Sequence, residues 1–398
     1  MISVQEADQI IHSHTFDFGT ENVRLEQATN RVLREDLYAD RPLPPYHRVT
    51  MDGIAIQFPS LKLQNKFKIQ DVAAAGSPQL TLNNNKDCFE VMTGSILPEG
   101  CDTVIRYEDL LLQGGEAELA IPISEIKQGQ NVHKKGSDRT MNSTLAKVGW
   151  LINSAVSSVA ATVGKEHILV SKLPKVTIVS TGDELVDIQS TPKPHQIRKS
   201  NNYGLSAMVN RFGIQASSAH LTDDKAILKQ ALETMVREMD VIILSGGVSK
   251  GKFDFVPEIL QELGCTQLFH KVRQRPGKPF WFGHFNKETF IFGLPGNPVS
   301  SFLCAHRYFL PWLRKSLQMV DDSGVSAILS EDIHFKKDLT YFAQVQVRNI
   351  NGQLMATPVE GNGSGDLANL AEADGFIELP SSNNHFKKGE HYPLHNLM

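Results

Sequence analysis

The chain has 398 residues, 41% of them apolar, and 40 basic against 44 acidic side chains give a net charge of −4. That length allows two to four domains, and no apolar run reaches the ~18–20 residues of a membrane span. A slightly acidic balance argues against nucleic acid as the main partner. The start MISVQEADQIIHSH has no basic stretch followed by an apolar one, so no signal peptide and a cytoplasmic location are expected. Cys88, Cys101, Cys265 and Cys304 are far apart and form no C-x-x-C pair, which suggests buried thiols rather than zinc or disulfides. His12 and His14 imitate a metal pair, but on a helical start they fall on different faces and are expected at the surface.

Helical periodicity marks the first forty residues, with Val4, Ala7, Ile10 and Ile11 on one stripe and Val32, Leu33 and Leu37 in a second segment. Pro42, Pro44 and Pro45 break the pattern. From Met51 to about Asp138 the texture is that of short strands, among them Phe67–Val72, Cys88–Met92 and Thr103–Tyr107. Helical spacing returns across Leu145–Gly164, as if a β-rich module were inserted into a helical element. Between Lys175 and about Lys315, strands alternate with helices. The strand-like runs are Val176–Ser180, Ile214–His220, Val241–Leu244, Leu268–Val272 and Phe290–Phe292, the last part of a hairpin turning at Asn286-Lys287. Ser200 is placed to cap one helix, and Thr222-Asp223-Asp224 opens another. From Val325 onward the chain is polar and strand-like. The expected fold class is multi-domain α/β. It comprises a helical connecting domain (1–41 and 139–172), a β-rich inserted module (42–138), a doubly wound, mostly parallel α/β domain (173–317) and a small C-terminal all-β domain (318–398).

In an open parallel sheet, ligands bind outside the carboxyl ends of the strands, so the residues after each strand carry the information. The first exit is Ser180-Thr181-Gly182-Asp183-Glu184, the second Thr222-Asp223-Asp224. The third is Ser245-Gly246-Gly247-Val248-Ser249, leading to Asp254. Lys271 ends the fourth, followed by Arg275-Pro276-Gly277-Lys278-Pro279. The hairpin strand leads to Gly293-Leu294-Pro295-Gly296-Asn297-Pro298 at a helix start. Taken singly, each is an ordinary turn, cap or rigid loop. Together they bring acids able to hold a hard cation (Asp183, Glu184, Asp224, Asp254) to bases suited to oxyanions (Lys271, Arg275, Lys278). Glycine amides and a helix N-terminus add anion donors, and the set describes a phosphate-and-magnesium site. Gly246 to Lys252 spells G-x-x-x-x-G-K, but Phe253 stands where a P-loop needs a magnesium-ligating hydroxyl. The loop therefore reads as an anion cradle with an acid attached.

These residues resemble the molybdopterin molybdenumtransferase family, which includes the E domain of gephyrin. The resemblance covers nearly the whole chain. It rests on Met51-Asp52-Gly53, Met92-Thr93-Gly94 with Pro98-Glu99-Gly100, Gly129-Gln130-Asn131-Val132 with Gly136 and Asp138, Ser180–Leu185, Ser245–Ser249 with Asp254, Pro276–Pro279 and Gly293–Ser300. It implies a homodimer whose cleft lies between the α/β domain of one subunit and the β-rich module of the other. Asp52, Thr93 and Asp138 would face that cleft from the second subunit. Glu184, Asp224, Asp254, Lys271, Arg275, Pro295 and Pro298 would line it from the first, with Ser364 added by the C-terminal domain. Departures from the family pattern are His133 and Arg275 in place of Arg and Lys, Lys199 in place of Asp and Lys250 in place of Val. Lys199 is expected to be solvated.

The implied substrates are adenylylated molybdopterin and molybdate, and the implied reaction inserts molybdenum with release of AMP. Asp52, Glu184 and Asp254 would be catalytic, and Glu184, Asp224 and Asp254 would hold Mg2+. Ser180, Gly182, Asp183, Ser245, Gly246, Gly247 and Lys278 would join the substrate site. No side-chain nucleophile is required, since positioning and electrostatics suffice. Further implied partners are the adenylyltransferase that makes the substrate and the molybdoenzymes that accept the product. The alternatives are that adenylyltransferase activity itself, or a non-enzymatic scaffold.

Overall fold

The computed structural model describes residues 1–249, 254–320, 324–359, 361 and 363–397. Lys252 and Phe253, on which the P-loop comparison turned, lie outside the described residues, as does Lys250. The chain divides into two compact units, one of Met1–Glu35, Val148–Ser157 and Glu166–Met398, the other of Asp36–Lys147 and Ser158–Lys165.

The larger unit contains a six-stranded sheet in the order Ser217–Leu221, Val176–Thr181, Val241–Ser245, Thr289–Leu294, Trp281–Phe285, Thr266–His270. Its first four strands are parallel, and Trp281–Phe285 runs opposite to both its neighbours. Alternation along the strands explains the two covered faces. Val176, Ile178, Ile243 and Phe292 enter one core with Leu205, Met208 and Val209 of the helix Ser200–Asn210. Val179, Ile242, Leu244 and Ile291 enter a second core with Leu228, Leu232 and Val236 of the helix Lys225–Glu238. Side chains of period two buried on both sides require helices on both sides, which is the doubly wound arrangement. Each fully buried Leu, Ile or Phe contributes about 1.5–3 kcal/mol.

The same unit holds the small C-terminal β domain. Thr340–Ile350, Gln353–Pro358, Val325–Leu329, His391–Asn396 and Gly375–Leu379 are hydrogen-bonded in that order, and the last pairs back to the first. Closure leaves no free edge in that ring.

The smaller unit is built on a sheet in the order Thr103–Arg106, Gly53–Ile56, Asp87–Val91, Lys66–Ala73, Glu116–Leu119, Leu110–Gln113. Ile54, Ile56, Phe67 and Cys88 form one side of its core, and Ala55, Val91 and Val104 the other.

The structure corrects four expectations. The second helical segment near Val32 is extended: Val32 and Leu33 bridge to Leu151 and Val170, and Leu37–Tyr38 pairs with Thr144–Ala146. Val32, Leu33 and Leu37 are wholly buried by this long-range pairing, which overrides a weak local periodicity. The connecting segments hold only two α-helices among the described residues, Val4–Ser13 and Ser154–Thr162. Ser200 is the first helical residue rather than the cap, and Lys199 before it makes no capping bond. His14 is half-buried, with its Nδ1 2.7 Å from the Ile10 carbonyl oxygen. The four thiols are buried as expected, and burial pushes Cys88 and Cys101 up to about 12 and Cys265 up to about 11. No described helix is long and apolar enough to cross a membrane.

Candidate active site

The carboxyl ends of the parallel strands, at Thr181, Leu221, Ser245 and Leu294, lie on one edge of the sheet. The loops leaving three of them, with Asp223, enclose a cleft of about 410 Å³ lined by Ser180, Gly182, Glu184, Asp223, Ser245, Gly246, Gly247, Asp254, Pro295 and Pro298. Gly246 and Gly247 have φ of 102° and 69°, and a Cβ on them would stand 2.9 and 2.8 Å from the Thr181 hydroxyl oxygen. Only glycine lets this backbone turn so close to the first strand. The Thr181 hydroxyl is itself buried and has no hydrogen-bond partner among the described residues. Asn201 ties the wall together: its Nδ2 donates to Ser245 Oγ and to the Gly296 carbonyl, both at 2.8 Å.

The acids of this cleft repel one another. Asp223 is held above the usual carboxylate range, first by burial and then by the Asp183, Glu184 and Asp254 charges. Asp183 Oδ1 accepts from the Asp223 backbone N–H at 3.2 Å. Asp183 and Asp224 are not among the lining residues. Asp224 is instead the N-cap of the helix Lys225–Glu238, with Oδ1 accepting from the N–H groups of Ala226 and Ile227 at 2.9 and 3.0 Å. Asp223, not Asp224, presents the carboxylate there. Glu184, Asp223 and Asp254 do not converge into a ready-made three-ligand cluster. The helix Val256–Glu262 after Asp254 has Phe255 as its N-cap residue.

Arg275, Lys278 and Ser364 line a second cleft of about 810 Å³, which shares Pro279, Pro295 and Asn297 with the first. Lys337 is a third cation on its wall, and no carboxylate is among its described lining residues. The loop bearing Arg275 and Lys278 stands on buried Gln274, whose Nε2 donates to the carbonyls of Pro276 and Gly277 at 3.1 and 3.3 Å. The Tyr308 hydroxyl donates to the other end of the same amide. Asn297 Nδ2 donates to Ser364 Oγ at 2.8 Å, so the C-terminal domain closes this cleft. Lys271 has a left-handed backbone (φ 77°) and is not among the lining residues of either cleft.

Asp52, Thr93 and Asp138 belong to the smaller unit. Asp52 Oδ1 accepts from both the backbone N–H and the hydroxyl of Thr93, at 2.6 and 2.7 Å, and these bonds hold its carboxyl below the usual range. Gly53 beside it is required by close packing: a Cβ there would fall 1.9 Å from the Ile105 carbonyl oxygen. Asp138 Oδ1 lies 2.8 Å from His133 Nε2, and Arg48 Nη2 lies 3.0 Å from His133 Nδ1. A guanidinium can only donate, so His133 carries its proton on Nε2 and donates to Asp138.

Sequence reasoning missed Thr181, Asp223, Gln274, Asn297, Lys337 and the role of Lys199. Lys199 is not freely solvated; it lines the acidic cleft and pairs with Asp187 at 2.5 Å, lowering that carboxyl. Asp223 beside Asp224 was the available signal, because a cap uses one acid and leaves the other. Nothing local marks Lys337, which reaches the site only through the C-terminal domain.

Comparison with known proteins identifies each region of the chain. Residues 2–164 match the MoeA N-terminal region (domain I and II), residues 177–315 a probable molybdopterin binding domain, and residues 326–396 the MoeA C-terminal region (domain IV). A molybdopterin molybdenumtransferase from Synechocystis is 39% identical over 99% of this chain and 100% of its own length. One from Bacillus subtilis is 30% identical over 98% of this chain and 92% of its own. The solved molybdopterin biosynthesis moeA protein of Pyrococcus horikosii superposes with a TM-score of 0.81 at 27% identity, covering 100% of this chain and 99% of that one. With the family signature spread over all three regions and both compact units, the chain belongs to the molybdopterin molybdenumtransferase family.

Proposed function

We propose that this chain transfers molybdenum from molybdate to adenylylated molybdopterin with release of AMP, acting in the cytoplasm as a homodimer. The supporting observation is the adjacency of an acidic cleft, with Glu184, Asp223 and Asp254, to a basic cleft, with Arg275, Lys278 and Lys337. A doubly charged oxyanion suits the basic side. A phosphoanhydride suits the glycine cradle, where the Gly247 amide and the Thr181 hydroxyl, which has no partner among the described residues, can donate, while the Gly246 amide is used on the Leu294 carbonyl. Relatives carrying the transferase name cover nearly the whole chain, and none of the comparisons favours the adenylyltransferase or scaffold reading.

Magnesium fits the donor set. Glu184, Asp223 and Asp254 offer hard oxygens, and Asp223, held high first by burial and then by its acidic neighbours, is a group whose charged form a cation would stabilise. Asp224 is left to its helix cap. Bound magnesium would supply positive charge to the anhydride oxygens and ease the departure of AMP. The protein's own part is to orient the pterin phosphate over the glycines, hold molybdate on Arg275, Lys278 and Lys337, and fix both through Asn201 and Gln274. The family resemblance extends the proposal to the second subunit, whose Asp52, Thr93 and Asp138 would complete the cleft.

The test is molybdate-dependent AMP release from adenylylated molybdopterin across a magnesium titration, with wild-type protein and Asp254→Asn. The variant nearly preserves shape and removes one charge. Release should fall by orders of magnitude; wild-type rates at every magnesium concentration would remove Asp254 from the mechanism. Absence of molybdate dependence in the wild type would overturn the proposed reaction.

A further inference from the structure

The C-terminal domain carries a second chemical feature, remote in composition from the oxygen-rich clefts. The strands Ile333–His334 and His385–Phe386 form a two-stranded antiparallel ribbon in which Ile333 faces Phe386 and His334 faces His385. Ile333 and Phe386 are buried in the barrel core, so alternation turns both histidines outward together. Their rings stack with centroids 4.2 Å apart and planes 13° from parallel. Asp332 precedes the first strand and completes the group. Its Oδ2 lies 2.7 Å from His385 Nε2, and its Oδ1 accepts from the Lys388 backbone N–H at 2.9 Å.

We propose that Asp332, His334 and His385 form a binding site for a first-row divalent transition metal such as zinc. One ligand atom from each residue lies within 4.8 Å of the others, and this is the one such group among the described residues. Two imidazoles with one carboxylate match the ligand preference of zinc and its neighbours, whereas magnesium demands oxygen ligands. The ribbon is anchored by its buried face, so ligation asks for side-chain rotation and no refolding. The Lys388 N–H fixes the carboxylate from behind, as outer-shell partners do in metal sites. Asp332 and His334 also line an open cleft of about 690 Å³, which leaves room for water or an outside ligand in the remaining coordination positions. The site is independent of the transferase reading.

Metal-stripped full-length protein should be titrated with zinc chloride by calorimetry in buffer containing millimolar magnesium. One zinc per chain is expected at a site that magnesium does not displace. His334→Ala and His385→Ala should each weaken it by at least about a hundredfold, the upper end of what loss of an outer-shell partner alone costs. Asp332→Asn should weaken it too, while His391→Ala, a change at another exposed histidine, should not. Cobalt(II) offers a second readout in the wild type and in His334→Gln, through a visible ligand-field band that the variant loses. Equal zinc affinity in the His334 and His385 variants, no saturable site, or displacement by magnesium would each overturn the proposal.

Discussion

Asp223 and Asp224 are adjacent acids with separate tasks. One caps a helix and the other stands in a cleft against like charges. A carboxyl whose pKa is raised on folding stabilises the fold fully only below its unfolded value, and that contribution is lost as pH rises through the folded value. Asp223→Asn is therefore expected to raise the melting temperature at neutral pH while weakening magnesium-dependent AMP release. The thermal gain should shrink as pH falls toward the ordinary aspartate value of about 3.9. Melting curves of both proteins across that range check the sign; a gain that grows on acidification would contradict it. Arg275 is exposed on its cleft, where a long cation without an anionic ligand is normally solvated. Arg275→Ala should raise the molybdate concentration needed for turnover with little change in melting temperature. An unaltered molybdate dependence would remove Arg275 from the site.

Among the elements, the loop Arg275-Pro276-Gly277-Lys278-Pro279 depends most on what lies beneath it. Gln274 satisfies two loop carbonyls and the Tyr308 hydroxyl from a fully buried position. Leaving a buried polar partner unpaired costs about 1–3 kcal/mol. Gln274→Leu removes partners from three such groups, so a stability loss above about 2 kcal/mol is expected in urea denaturation. The molybdate requirement should rise with it, because the loop carries both Arg275 and Lys278. Unchanged kinetics in a destabilised variant would show that the loop is held by other means. Another junction of the larger unit is ionic: Arg307 donates to Asp8 at the first helix and to Glu378 in the C-terminal barrel. Burial alone would push Glu378 up, yet His395 and Arg307 outweigh it and hold the carboxyl low.

At the scale of the molecule, the residues proposed to meet in one site come from both compact units, with Asp52 in the smaller and Asp254 in the larger. The proposed homodimer makes a specific demand. Two inactive variants, Asp52→Ala and Asp254→Ala, should recover part of the wild-type activity when co-assembled, because a mixed dimer regains one intact cleft. Tandem purification of the heterodimer followed by AMP-release assay measures this. No recovery in demonstrated heterodimers would place Asp52 and Asp254 in the same subunit's site.

Much of this was legible without coordinates. The β-branched run Val241–Leu244, the glycines after it and the alternation of strands with amphipathic helices gave the α/β sheet and the edge where its ligand loops collect, because period and turn chemistry are local properties. The same locality placed Glu184, Gly246, Gly247 and Asp254 on that edge. Where the reading failed, the deciding partner was distant in sequence. Val32 and Leu33 look helical until Leu151 and Val170 pair with them. Lys199 looks solvated until Asp187 meets it across the Leu185–Val186 and Ile197–Arg198 ribbon. Lys337 joins Arg275 only through the parallel pairing of Gln274–Arg275 with Thr340–Ile350. Composition and periodicity determined the elements and most of the chemistry of the strand exits. Which extended segments pair, and which cations share a wall, was decided by tertiary pairing, since partners tens to hundreds of residues apart leave no local pattern to read.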